Sequence, residues 1–189
     1  MQTSAAKLQL LIEDLMAYTR IVNEEIRFVT VDMNVSLKEV EADLMESLEE
    51  QKVTLIWSSM PTIKGIPFQI RQLFINLISN SIKFAKVDVP SVIRIDCEQV
   101  SDHFIDAIIK KNSKVYYKIT TVDNGIGFNP AYKNDILKIF QRLNANQYQG
   151  TGVGLAICKK IVEAHGGVME ADGKENGGAT FTTYFPVPE

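Results

Sequence analysis

Only two cysteines occur in the 189 residues, Cys97 and Cys158, and they have neither metal-ligand spacing nor a CxxC arrangement. Free buried thiols in a reducing compartment are therefore expected, rather than a disulfide or a zinc site. No apolar run approaches the roughly 20 residues that cross a bilayer, and no signal peptide opens the chain. The chain is expected to be soluble and cytoplasmic and to make no membrane contact itself, with an anchor elsewhere in a longer parent left open. Runs of Lys or Arg are missing too: 20 basic residues face 23 acidic ones, giving a net charge of -3 and a pI near 5.5. Without a phosphate-tracking face, nucleic acid is not an expected partner. No internal repeat, low-complexity stretch or long linker divides the chain. Its length suits one full domain with a small appendage.

What the sequence does have is organised around Arg71 to Phe84, RQLFINLISNSIKF. At about 100° per residue, Asn76, Asn80 and Lys83 fall on one stripe of a helix, with Gln69 and Gln72 beside them. Ile70, Phe74, Ile75, Leu77, Ile78 and Ile82 fill the rest of the circumference. A helix apolar nearly all round belongs in a core, so a row of polar groups on it needs a partner other than bulk water. Two amides and an ammonium would suit a bound phosphate and its hydrated metal; a solvent-facing stripe is the alternative.

Before this helix, Leu8, Leu11, Ile12, Leu15, Thr19 and Val22 repeat with helical spacing, predicting an amphipathic helix over 4–24. One such helix cannot bury its own stripe, so it either packs on the following domain or is half of a helical hairpin; the second reading is favoured. Ser36-Leu37-Lys38-Glu39 has capping-box form, opening a helix that turns Leu37, Val40, Leu44 and Leu48 inward and ends near Gln51. Val53 to Trp57 reads as a strand, with Trp57 as its anchor, and Pro61 and Gly65 as a loop. After the central helix, Val92 to Val100 and Val115 to Val122 read as strands. The apolar segment between them extends the strands or makes a short helical excursion, and carries His103 as a surface or packing histidine. Ile136 to Leu143 is expected to be a short helix. A further helix runs from about Val153 to Ala164, with Val153, Ile157, Ile161 and Ala164 on one face and Gly166-Gly167 as its stop. His165, in its last turn, would complement the helix dipole. Val168 to Ala171 and Thr180 to Phe185 close the chain as strands around a turn containing Gly177 and Gly178.

Two glycine motifs bear on chemistry. Asp123-Asn124-Gly125-Ile126-Gly127 sets a carboxylate at a strand end, before glycines that admit close approach. Such a carboxylate could accept a hydrogen bond from an exocyclic amine like that of adenine, although alone this motif could equally be a turn. Gly150-Thr151-Gly152-Val153-Gly154-Leu155 puts three glycines at a helix start, where free amides and the dipole favour an anion. No GK[ST] follows, as a P-loop would require, and the strand-to-helix context of a dinucleotide fingerprint is missing.

Taken together, NLISN with IKF, then DNGIGF, then a polar loop ending in GTGVGLAICKKIVEAHGG, then GGATFTTYF, resemble the catalytic ATP-binding domain of sensor histidine kinases. Those kinases share their fold with the gyrase, heat-shock-protein 90 and MutL ATPases. The resemblance covers roughly residues 28–187. It implies an α+β, two-layer α/β sandwich whose mixed sheet is covered by helices on one face, preceded by one long N-terminal helix. Residues 1–25 then look like the second helix of a dimerisation and phosphoacceptor hairpin, and 26–189 like the catalytic ATP-binding domain. Neither His103 nor His165 matches the motif of the phosphorylated histidine.

By the same resemblance, Asn80 would ligate magnesium bridging the phosphates of ATP. Asn76 and Lys83 would contact the phosphate side, as the catalytic pair. Phe84 would pack near the nucleotide, and Asp123 would accept from the adenine amine in a pocket shaped by Gly125, Ile126 and Gly127. Asn144 to Gln149 would form a short lid after an Ile139-Phe140 hinge. Gly150, Thr151, Gly152, Val153, Gly154 and Leu155 would close over the phosphates, and Thr180 would lie beside the adenine. An amide oxygen with phosphate oxygens and water is a reasonable magnesium site. The implied activity is bacterial two-component signalling: phosphoryl transfer to a histidine on the hairpin of the same protein, in a homodimer, for relay to a response regulator. Alone, the chain is expected not to autophosphorylate. A hydrolytic ATPase of the same superfamily is one alternative, weakened because Asn76 stands where those relatives have a glutamate base. A nucleotide-binding pseudokinase is another.

Overall fold

A computed structural model describes Ile12, Met16 and residues 27–87, 89–101, 115–143, 148 and 150–188. The expected N-terminal helix and hairpin remnant, the segment 102–114 with His103, and most of the expected lid lie outside these residues. Ile12 and Met16 are both helical.

A short strand β1 (Val29–Asp32) leads into helix α1 (Met33–Glu50), followed by β2 (Val53–Trp57), β3 (Thr62–Gly65) and the central helix α2 (Pro67–Lys83). Then come β4 (Ser91–Ser101), β5 (Val115–Asp123), a 3₁₀ turn at Pro130–Tyr132, helix α3 (Gly154–Ala164), and the hairpin β6 (Val168–Lys174) and β7 (Gly178–Pro186). Five strands form a mixed sheet in the order β2-β4-β5-β7-β6, in which β2 pairs parallel with β4 and every other pairing is antiparallel. β1 and β3 form a separate two-stranded ribbon. This is the α+β arrangement expected, a mixed sheet with helices packed against it.

The period-two rule of strands decides which face is covered. Phe181, Thr183 and Phe185 of β7 are buried, as are Ile93 and Ile95 of β4, and they share one core with Leu37, Val40, Leu73, Phe74, Leu77, Ile157 and Ile161 from the three helices. Side chains between them in sequence, such as Arg94 and Glu98, stand off that core.

Several local expectations are corrected. The cap of α1 is Asp32, whose carboxylate accepts from Asn34 N–H at 2.8 Å; Ser36 is buried inside the helix, so the Ser-x-x-Glu pattern is not its start. Thr62 to Gly65 is strand rather than loop, because it pairs with β1 at Val29 to Asp32. No helix forms over 136–143: Asn129 and Pro130 start a 3₁₀ turn instead, and Phe140 takes φ +63°, which a right-handed helix cannot contain. Ile136 and Leu137 still reach the core, which explains the misleading periodicity. Ala164 is exposed, and Ala156, Cys158 and Val162 are buried on α3 with the expected Val153, Ile157 and Ile161.

The Gly166-Gly167 stop holds in detail: Gly166 has φ +76°, its N–H reaches Glu163 O, and Gly167 N–H reaches Val162 O, as in a Schellman motif. Burial of Cys158 pushes its thiol up to about 12, and burial takes Cys97 up to about 11; both are free.

Candidate functional site

A cavity of about 250 Å³ opens where the C-terminal half of α2, the ends of β5 and β7, and the start of α3 meet. α2 is helical because straight-chain and apolar residues follow Pro67 at its first turn, with no glycine to interrupt them. Its buried side holds Ile70, Leu73, Phe74, Leu77 and Ile78 in the core, which leaves Asn76, Asn80 and Lys83 turned to the cavity. The stripe is therefore not merely a solvated face. Gln69, farther back on it, is buried outside the cavity, and its Oε1 lacks a hydrogen-bond partner.

The amides are set differently from one another. Asn76 Nδ2 donates to Gly154 O at 3.3 Å and Oδ1 accepts from Gln72 Nε2 at 3.1 Å, so this side chain is held at both ends. Asn80 faces the cavity with no such partner among the described residues, its oxygen available to a cation. Lys83 is half-buried, and burial, with the nearby Arg142 charge, lowers its pKa. Its ammonium lies 4.8 Å from the Phe84 ring centroid and approaches Gly150, where an added Cβ would stand 2.6 Å from it. A side chain at Gly150 would therefore push the ammonium out of its present position.

At the other end, Asp123 is 6% exposed. Its Oδ1 accepts from Gly125 N–H at 2.9 Å and Ala179 N–H at 3.2 Å, and its Oδ2 from Ser81 Oγ at 3.1 Å. Burial raises its pKa, and these hydrogen bonds pull the other way. The carboxylate is thus rigid and partly desolvated, with acceptor capacity left toward the cavity. Among the described lining residues it is the sole carboxylate.

Eleven of the expected residues line this one cavity: Asn76, Asn80, Lys83, Phe84, Asp123, Gly127, Gly150, Thr151, Gly152, Gly154 and Leu155. Gly125, Ile126, Val153 and Thr180 do not line it. Gly125 and Ile126 instead tie the β5 turn to the end of α2, through Ile126 N–H to Phe84 O at 2.9 Å, and Val153 is fully buried in the core. Thr180 alternates outward, so its neighbours Ala179 and Phe181 face the cavity in its place. With Phe128 and Ile136, these two give an apolar wall beside Asp123, fit for a flat heterocycle. Sequence reasoning missed that wall; the alternation along GGATFTTYF, read out from Gly178, was the signal.

The rim also holds Arg142 and Tyr148. Arg142 Nη2 donates to Tyr148 O at 2.6 Å, and the Tyr148 ring packs edge-on to Phe84 with centroids 4.9 Å apart. The expected hinge partner Phe140 is 55% exposed, while Ile139 packs on the core. His165 is corrected: it is buried, burial lowers its pKa, and its Nε2 accepts from Ile66 N–H at 3.1 Å while Nδ1 donates to Ile161 O at 2.7 Å. A neutral ring cannot serve as the cationic complement to the α3 dipole. Among the described residues, no His, Cys, Asp and Glu side chains cluster to hold a metal, and no helix is long and apolar enough to cross a membrane.

Residues 65–189 match the family described as histidine kinase-, DNA gyrase B-, and HSP90-like ATPase. Cyanobacterial phytochrome A from Nostoc is 35% identical over 96% of this chain, and the match spans 22% of that protein's length. The chain thus covers less than a quarter of this relative. Among solved structures, full-length ShkA in complex with AMPPNP superposes with a TM-score of 0.75 at 22% identity, covering 96% of this chain and 36% of that one. Histidine kinase ThkA in complex with response regulator protein TrrA gives 0.70 at 18% identity, covering 97% and 48%. At these identities the structural likeness is one of fold.

Proposed function

Because the chain belongs to the family of histidine kinase-, DNA gyrase B- and HSP90-like ATPases, we propose that its cavity binds ATP with magnesium and presents the γ-phosphoryl group to a histidine on a separate helical hairpin. The observation that carries the reading is the convergence of a buried carboxylate, an amide row with a lysine, and a glycine-rich helix start on one cavity. Adenine would sit on the apolar wall, its amine toward Asp123. The phosphates would run toward Lys83 and the glycine-rich backbone of Gly150 to Gly154. The single free amide oxygen at Asn80 suits magnesium, which takes the rest of its shell from phosphate and water. Magnesium would neutralise phosphate charge, while the protein supplies position and further charge compensation, which suffices for phosphoryl transfer.

Two observations favour a histidine over water as acceptor. The cavity holds no carboxylate on the phosphate side among the described residues, so nothing there would act as a base toward water. Asn76, at the position in question, has its amide fixed by Gly154 and Gln72. His165 cannot be the acceptor, since both ring nitrogens are engaged in the core. One fold neighbour is a histidine kinase in complex with a response regulator protein, which supports a response regulator as the downstream partner; the cytoplasmic setting and the homodimer belong to the proposal itself.

The test is labelled ATP with the chain alone and with a hairpin bearing an acceptor histidine supplied. Label is expected on the hairpin only. Rapid release of free phosphate by the chain alone would favour the hydrolytic reading, and nucleotide binding without transfer to any hairpin the regulatory one.

A further inference from the structure

Helices α2 and α3 run antiparallel, and three hydrogen bonds cross their seam. Ile66 N–H donates to His165 Nε2 at 3.1 Å, Cys158 Sγ lies 3.8 Å from Leu73 O, and Asn76 Nδ2 reaches Gly154 O at 3.3 Å. The last of these is at the cavity, where Gly154 also abuts Asn80: a Cβ on that glycine would lie 3.8 Å from Asn76 Cγ and 4.0 Å from Asn80 Nδ2. The first is at the opposite end of both helices, about 15 Å along α2 for ten residues at 1.5 Å each.

His165 is built for one arrangement only. It caps the C-terminus of α3 by donating from Nδ1 to Ile161 O, and the same neutral ring accepts the first free N–H of α2, a helix start with no side-chain cap of its own. Its ring is confined: a Cβ at Gly65 would lie 3.0 Å from Nε2, and Phe28 and Phe185 stand at centroid distances of 5.0 and 6.0 Å. The charged groups around it are Lys64, whose ammonium turns to Thr30 Oγ1, and Glu163 on its own helix, paired with Lys159 and Lys160.

We propose that His165 is a positioning residue for the cavity, its imidazole fixing the axial register in which Gly154 at the α3 start faces Asn76 and Asn80. Without it the α2 start and the α3 end lose a shared hydrogen bond, and the nearest remaining polar tie, through the long Cys158 contact, is weak. Displacement of a glycine-rich loop by even about 1 Å is enough to degrade a phosphate site.

The inference rests on the nucleotide reading above, and its test separates the two. Magnesium with a non-hydrolysable ATP analogue is titrated calorimetrically into the full chain and its His165→Leu, His165→Gln and Ile119→Ala variants, each well below its melting temperature. Ile119 is buried in the core and lines neither the cavity nor the surroundings of His165. Loss of a buried hydrogen bond at the seam is expected to weaken binding about tenfold in His165→Leu. His165→Gln, which keeps a donor and an acceptor, should recover most of it. Ile119→Ala should melt earlier yet bind as the unaltered chain does. Equal affinity in His165→Leu, or equal weakening in Ile119→Ala, would overturn the proposal. If the unaltered chain binds no nucleotide, only the functional reading fails. Amide exchange at Gly154 to Ile157 then decides: faster exchange in His165→Leu but not in Ile119→Ala supports the register role, and unchanged exchange refutes it. Should His165→Leu not fold, His165→Met, which also lacks both hydrogen bonds, takes its place in the same comparison.

Discussion

Replacing Asp123 by Asn separates the fold from the base contact more cleanly than any truncation. Oδ1 of Asp123 holds two backbone N–H groups, and Oδ2 takes the Ser81 hydroxyl, whose oxygen also lies 3.2 Å from Leu77 O. In Asp123→Asn the amide oxygen keeps both backbone bonds. The new NH₂ donates to Ser81 Oγ, and the serine hydrogen turns to Leu77 O. No buried group is orphaned, so the fold survives. Stability should even rise slightly, because burial holds the native carboxyl above its ordinary range and its ionisation near neutral pH is a cost. Toward the cavity, however, an acceptor becomes a donor. Removing a hydrogen bond to a charged acceptor costs about 1.5–3 kcal/mol, or roughly 10- to 150-fold in ATP affinity. Calorimetric titration with ATP and with inosine triphosphate, whose exocyclic carbonyl oxygen accepts where the adenine amine donates, reads the effect directly. The variant should lose ATP and shift its preference toward the inosine nucleotide. An unchanged preference for ATP would refute the placement of the base. The pH dependence has opposite signs in its two readouts. The folded chain holds the Asp123 proton more tightly than the unfolded chain does, so this group favours folding at low pH and loses that contribution as pH rises through the folded value. ATP affinity instead falls as the carboxyl becomes protonated.

Asn80→Ala is expected to bring affinity with magnesium down to the level measured in excess chelator, while the melting temperature moves by no more than the equivalent of about 0.5 kcal/mol. A persistent magnesium enhancement would rule out the amide as ligand. Gly127→Ala should destabilise by about 2–4 kcal/mol in urea denaturation, since Gly127 sits at φ +61° and an added Cβ would be 2.0 Å from Lys174 O. An unshifted midpoint would show that the turn relaxes freely.

The parts of this molecule legible in its sequence are those where one residue's chemistry is set by its own helix or turn. Asn76, Asn80 and Lys83 could be placed together from helical period alone, and the strand end at Asp123 from the glycines after it. What escaped was decided by distant partners. Thr62 to Gly65 is too short and too rich in turn signals to announce a strand, and exists as one because β1 lies beside it. The capping-box pattern at Ser36 misled because Ser36 is drawn into the core, and the cap is Asp32, four residues earlier. The periodicity over 136–143 mimics a helix because Ile136 and Leu137 reach inward from successive turns. His165 looked like a helix-end cation until Ile66, 99 residues earlier, supplied the N–H that requires it neutral.

The one parallel pairing of the main sheet bears on how the chain reaches this state. β2 and β4 pair from Val53↔Ser91 onward, and α2 lies within the connection between them. A parallel pair cannot be closed by a tight turn, so its hydrogen bonds form only after the whole intervening segment has been gathered in. The β6–β7 hairpin, by contrast, turns within Glu175 to Gly177 and meets only a local entropy cost. On loop-closure entropy alone, the β6–β7 pairing is the cheaper of the two, and the β2–β4 pairing carries the cost of gathering in the helix that bears Asn76, Asn80 and Lys83.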